Sequence, residues 1–346
     1  MLRRDTRALA TFGRPLAERA SAWSAWALAG ALLAASTFGC AGTDDGAAAD
    51  AGSVGVEDAA GDVDGDGDGA AGDPAETVDA GSDATAEQPP APFDYTGKTC
   101  PTFVAGANKL QSFAEARTFD LYLPPEPKGA ALLYLWHGLG DTKENFGKAF
   151  GAQALAKALG AIVVVPQAKG KATGWGWGKA SESDSDAALF DDLLACVDGQ
   201  YDIDNARVAS MGFSSGGLWT TWLVLNRARF LASAVIWSGG TSGSFNVYKT
   251  PKRKLPVIVA WGGPQDEALL KFEPMSIALA DGLEGDGHFI LRCNHKLGHT
   301  IPSDGLKLAR AFLQDHTWHD AGASPWQQDP ASLAAIPSYC EVPSGP

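Results

Sequence analysis

The clearest order in this chain is the alternation of apolar runs and amphipathic stretches from residue 93 onward. "RTFDLYLP" (117–124) alternates apolar and polar positions, the period of a strand with one wet face. "GAALLYLWHG" (129–138) and "AIVVVPQA" (161–168) are nearly continuous apolar runs, as expected of strands buried on both faces. Between them a capping-box pattern from Asp141 to Glu144 predicts the start of a helix. That helix carries Phe146, Phe150, Leu155 and Leu159, with a break near Gly151. "SDAALFDDLLACV" (185–197) sets Leu189, Phe190, Leu193, Leu194 and Val197 on one helical face. The rhythm continues with strands at "RVASM", "LASAVIWSG", "LPVIVAWGG" and "GHFILRCN", and helices at "GGLWTTWLVLN" and "SDGLKLARAFLQDH". Such alternation over about 250 residues predicts one α/β domain with a mostly parallel sheet, spanning 93–346. In such sheets chemistry gathers in loops at the carboxyl ends of the strands.

The 346 residues carry a formal charge of −14, but that charge is unevenly placed. Residues 41–92 hold fourteen acidic residues and no Lys or Arg, and residues 1–39 carry a net +3, which leaves only −3 on 93–346. No basic patch points to nucleic acid. The 41–92 stretch is built from Ala, Gly, Asp, Ser and Pro without aromatics, so it cannot bury enough apolar surface to offset its chain entropy. It is expected to be a disordered acidic tether. Within it "DVDGDGDGAAGD" (62–73) has the spacing of a calcium loop, with Asp62, Asp64, Asp66, Gly67 and Asp73 in register. An Asp-Gly repeat in a low-complexity linker is the plainer reading, because no amphipathic helices flank it and the last position is not Glu.

Residues 1–40 read as a targeting segment. Arginines at 3, 4, 7, 14 and 19 precede the apolar run "AWSAWALAGALLAASTFG", which ends in small residues before Cys40. "TFGC" resembles the bacterial lipoprotein signal, which implies lipidation of Cys40 and a membrane anchor; cleavage without lipidation is the alternative. Four further cysteines, Cys100, Cys196, Cys293 and Cys340, fit two disulfides in an exported domain, and no CxxC spacing argues for a metal or redox site.

The candidate chemistry centres on "RVASMGFSSGGLWTTW" (207–222), a Gly-x-Ser-x-Gly pattern at Gly212, Ser214 and Gly216. In a chain with 41 glycines the pattern alone is weak. Its place between a strand and a helix is what marks a nucleophile elbow: a serine on a sharp turn needs small neighbours two residues away on either side. The helix start also aims the Ser215 amide at any developing oxyanion. A hydroxyl needs a base within hydrogen-bond reach, and six histidines are available. His295 sits at a strand end and reads as solvent-facing; His288, His316 and His319 read as surface residues at element ends.

"WHGLGDTKENF", "GWGWG", "ARVASMGFSSGG" and "LGHTIP" together resemble the α/β-hydrolase esterases of the polyhydroxybutyrate depolymerase and feruloyl or acetylxylan esterase group, over most of 93–316. The resemblance implies an exported serine esterase that needs no cofactor or metal, with Ser214 as nucleophile, His299 as base and an acid after "LPVIVAWGG". Asp266 is the expected acid, with Glu267, Asp281 and Asp286 as alternatives. "WGGPQD" departs from the group's His-Gly-x-x-Asp by carrying Gly262 and Gly263 in the first two places. Ser215 and Leu139 are the expected oxyanion amides. Trp175 and Trp177 match an aromatic stretch near the substrate pocket, and His137 stands beside the oxyanion loop; for all three, packing is the alternative to substrate contact. In the implied fold Cys196 and Cys293 lie toward opposite sheet edges, so Cys100–Cys196 and Cys293–Cys340 are the expected disulfides. Polyhydroxyalkanoate, feruloylated or acetylated polysaccharide and small esters all remain as substrates. A surface-anchored binding protein without turnover and a serine peptidase are the competing functions.

Overall fold

The computed structural model describes residues 87–170, 174–178 and 180–342, with backbone alone at 180–183. The targeting segment with Cys40, the Asp-Gly run at 62–73 and most of the acidic segment lie outside the described residues. Among those described, the elements in chain order are β1 (Gly106–Ser112), β2 (Glu115–Tyr122), β3 (Ala131–Trp136), α1 (Lys143–Ala149), α2 (Ala152–Leu159), β4 (Ala161–Pro166), α3 (Ala180–Tyr201) and β5 (Val208–Phe213). They continue with α4 (Ser215–Arg227), β6 (Ser233–Trp237), β7 (Val257–Trp261), α5 (Phe272–Gly285), β8 (Ile290–Asn294), α6 (Gly305–Asp315), α7 (Pro330–Ala334) and β9 (Cys340–Glu341).

One sheet holds the strands in the order β1-β2-β4-β3-β5-β6-β7-β8-β9. Pairing is parallel from β4 through β8 and antiparallel at both margins. The continuous apolar runs are explained by burial of alternate residues on opposite faces. Leu132, Tyr134 and Trp136 of β3 join Ile162, Val164, Ile236, Val257 and Val259 on one face, beneath α3, α4 and α5. Leu133 and Leu135 join Val163, Val165, Met211, Val235 and Leu291 on the other, beneath α1, α2 and α6. Each such side chain contributes about 1.5–3 kcal/mol relative to exposure, so neither face tolerates a polar run.

Several local details differ from expectation. The N-cap of α1 is Thr142, whose hydroxyl accepts from the Asn145 amide, with Asp141 one residue further out. The expected break falls at Gly151, in the left-handed region at φ 60°, and separates α1 from α2. The polar edge strand β1, helix α5 and the two-residue β9 were not apparent in the hydrophobic pattern. Both disulfides pair as the fold implies, Cys100–Cys196 and Cys293–Cys340. The second joins directly opposed residues of β8 and β9.

Three histidines expected at the surface are buried instead. His316 sits under Phe312 and Trp326, bonded to the Phe312 carbonyl and the Ser324 hydroxyl. His288 is bonded to the backbone of Leu255, and His295 packs edge-on to Tyr339. His137 is buried as well. In all four, burial is the largest influence and pushes the imidazole below its ordinary value. The unfolded chain, with ordinary imidazoles near 6.5, therefore takes up protons that the folded chain does not. Stability should fall as pH drops through about 6.5, lowering the melting temperature by a few degrees between pH 7.5 and 5.5. An unchanged or higher value at pH 5.5 would refute this linkage.

Candidate active site

The sheet delivers its chemistry where β5, β6, β7 and β8 end side by side. β5 runs into α4 through Ser214, which adopts φ 58° and ψ −119°, a region that costs a non-glycine residue about 1–3 kcal/mol. Packing holds it there. A Cβ on Gly212 would collide with the carbonyl of Gly216, and one on Gly216 would collide with that of Trp136. Only glycine lets the strand end, the first turn of α4 and the end of β3 come this close. The Ser214 amide is tied to the Trp237 carbonyl of β6 at 3.0 Å, which fixes the turn against the next strand.

His299 and Asp266 meet Ser214 from two other loops. The Ser214 hydroxyl donates to His299 Nε2 at 2.9 Å, and His299 Nδ1–H donates to Asp266 Oδ1 at 2.7 Å. This direction requires the Nδ1–H tautomer, which the carboxylate on that side favours. Asp266 is only 1% exposed, so its charge depends on protein donors. The Ser238 hydroxyl and the Gly262 amide both donate to Oδ2, at 2.8 and 2.9 Å. The other acid candidates are engaged elsewhere: Asp281 pairs with Arg292, Asp286 accepts from the Tyr248 hydroxyl, and neither reaches His299. Glu267 is exposed.

The departure in "WGGPQD" has a steric reason. The Gly298 amide donates to the Gly262 carbonyl at 3.0 Å, and a Cβ on Gly262 would collide with the Gly298 carbonyl. The loop of the acid and the loop of the base touch backbone to backbone here. A histidine in place of Gly262 would drive them apart.

The other expected site residues divide. Ser215 opens α4, so its amide belongs to the first turn, whose N–H groups lack helical partners. The turn after β3 runs beside the nucleophile: a Cβ on Gly138 would lie 3.5 Å from Ser214 Cβ, and Leu139 follows it, 41% exposed. Trp177 is partly buried against Phe245, close to Leu218, Phe272 and Met275, and its indole N–H donates to Ser215 Oγ at 3.0 Å. Trp175 and His137 are both buried. Trp175 is buried edge-on to Trp136 and donates to the His137 carbonyl at 2.8 Å. His137 is buried with Nε2 accepting from the Ala168 amide at 3.2 Å and Nδ1 bonded to the Gly138 carbonyl at 2.8 Å. Their polar atoms are spent holding loops together, the packing role that stood as the alternative to substrate contact.

A buried ion pair supports the same loops. Arg117 and Asp186 meet at 2.6 Å, and the second oxygen of Asp186 accepts from the Gly176 amide at 2.7 Å, between the two tryptophans. Burial, the largest influence, raises the Asp186 carboxyl above its ordinary range, against the opposing pull of Arg117. Sequence reasoning missed Ser238, Phe213 and Phe272 as neighbours of the site. Ser238 had a signal, since it ends a strand beside the nucleophile strand. Phe272 had none, because it belongs to a helix the pattern did not show.

A family model described as the prolyl oligopeptidase family matches residues 149–262. No curated protein matches the chain. Among solved structures, native sOPH is 18% identical, covering 70% of this chain and 97% of its own, with a TM-score of 0.57. Native pOPH is 21% identical, covering 72% and 97%, with a TM-score of 0.56. An esterase from Pyrobaculum calidifontis is 14% identical over 62% of this chain and 86% of its own, with a TM-score of 0.47. The likeness above a TM-score of 0.5, together with the strand order, shows that the chain has the α/β-hydrolase fold.

The backbone contact at Gly262 makes a test that does not depend on turnover. Gly262→Ala should part the acid and base loops and break the His299–Asp266 bond. In proton NMR the far-downfield Nδ1–H signal of His299 should be present in the unaltered protein and absent in the variant. A signal that survives the substitution would show that the contact does not set the geometry.

Proposed function

We propose that this protein is an exported serine esterase that cleaves carboxylic esters through Ser214, His299 and Asp266. The observation that carries the reading is the continuous hydrogen-bonded line from the Ser214 hydroxyl through His299 to the buried Asp266. Ser214 Oγ attacks the ester carbonyl while His299 Nε2 takes its proton. Asp266 keeps the imidazole in the Nδ1–H tautomer and stabilises the imidazolium. The carbonyl oxygen, now negative, is received by the amides of Ser215 and Leu139. His299 returns the proton to the leaving alcohol, and water then releases the acyl group from Ser214 by the same steps in reverse order. Trp177, with Leu218 and Met275 behind it, forms the apolar side of the substrate pocket.

The preference for esters rests on the resemblance of "HGLGD", "GFSSGG" and "LGHTIP" to the esterase group. Polyhydroxyalkanoates, feruloylated or acetylated polysaccharides and small soluble esters are its candidate substrates. Export rests on the N-terminal targeting pattern, with two disulfides suited to an oxidising compartment and with Cys40 as the proposed lipid anchor. No helix among the described residues is long and apolar enough to cross a membrane. Peptidase action is the second reading, favoured by the match of residues 149–262 to the prolyl oligopeptidase family.

Hydrolysis of short-chain p-nitrophenyl esters should be lost by about 10⁴-fold or more in Ser214→Ala. Equal rates in the two proteins would end the nucleophile assignment. Faster cleavage of peptide p-nitroanilides than of the esters would turn the reading toward a peptidase.

A further inference from the structure

His299 is flanked by two phenyl rings. The Phe213 ring centroid lies 4.8 Å from the imidazole centroid with the planes 31° apart, and that of Phe272 also lies at 4.8 Å with the planes 17° apart. The two rings come from the two other members of the hydrogen-bonded line. Phe213 is the residue before Ser214 and ends β5. Phe272 opens α5, and its amide donates to the Asp266 carbonyl at 2.9 Å. The base is therefore held by the nucleophile's neighbour and by a residue fastened to the acid.

An imidazole hydrogen-bonded at both nitrogens can still rock about the line joining them, and its loop adds freedom of its own. Rings packed almost parallel to it restrict that rocking. They also displace water and present π faces to the charge that appears on the imidazole when it takes the serine proton. We propose that Phe213 and Phe272 act as a positioning clamp on His299. They hold the imidazole in the plane that serves Ser214 and Asp266 together, and so act on turnover more than on substrate binding. This rests on the esterase reading and assigns two further residues to that site.

The primary variant is Phe213→Leu, because Phe213 is only partly buried and the change keeps apolar bulk while removing the ring. Phe213→Tyr restores the ring, and Phe272→Leu tests the second ring. With p-nitrophenyl acetate, each Leu variant should lose about ten- to hundredfold in kcat with KM within about twofold, the scale expected for a misplaced catalytic group. Phe213→Tyr should stay within about threefold of the unaltered protein. A fluorophosphonate that labels serine nucleophiles gives a second readout. In excess reagent its first-order rate constant does not depend on the folded fraction, so partial misfolding of a variant does not hide the answer. That constant should fall in parallel with kcat. Leu variants that label and turn over at the unaltered rate would overturn the clamp. A rise in KM at constant kcat would overturn it too, by making the rings part of the substrate pocket, as would a Tyr variant no better than Leu. Absence of Ser214 labelling in the unaltered protein would instead sink the esterase reading itself.

Discussion

A carboxylate removed from water must find its hydrogen bonds in the protein, and Asp266 finds them in three different segments. The Ser238 hydroxyl at the end of β6, the Gly262 amide at the end of β7 and His299 beyond β8 all converge on its two oxygens. Leaving such a buried charge short of a partner costs several kcal/mol. The three strand ends are therefore bound to a common point, and that point lies beside the turn that carries Ser214. The parallel sheet makes this possible, since adjacent parallel strands finish at one margin and hand their loops to one another.

Close backbone approach is the second requirement, and it accounts for the residue types around the site better than side-chain chemistry does. Gly212 and Gly216 let β5, α4 and β3 crowd together at the elbow, and Gly262 lets the acid loop rest on Gly298. "WGGPQD" thus places at 262 a glycine that lets the loops of the acid and the base touch. Ser214 and Ser238 both sit at positive φ, at 58° and 48°, one at the end of each neighbouring strand. Strain is tolerated at these two places because the surrounding bonds fix them.

The strands buried on both faces were legible because burial leaves long apolar runs, and Ser214 stood out because it lies between such a run and a helix, whereas Asp266 and His299 were expected from the resemblance of their loops to the esterase group. What lacked a signal lacked it for physical reasons. β1, "GANKLQS", is a sheet edge whose side chains face water on much of their length, so it carries no hydrophobic signature. Helix α5, "FEPMSIALADGLEG", has a proline in its first turn and two glycines further on, which mask its start and weaken its pattern. β9 is two residues long and is held by a disulfide more than by its composition. His295 and His316 have polar neighbours in sequence and His288 follows Asp286 and Gly287, so only tertiary packing shows that they are buried. The same holds for Trp175 and His137, whose hydrogen-bonding atoms are consumed inside the fold.

The short β9 bears on how the molecule behaves among its own copies. An open sheet margin presents unpaired amides and carbonyls on which another chain can build. At one margin β1 meets this hazard with polar, solvated side chains, Lys109 among them. At the other, β8 is apolar and buried at Ile290, Leu291 and Cys293, and would make a sticky template if bare. The bond between Cys293 and Cys340 fastens a covering strand over it. Reduction of that one bond would leave the fold's core contacts in place while releasing the cover, so redox conditions bear on aggregation more directly than on the packing of the sheet.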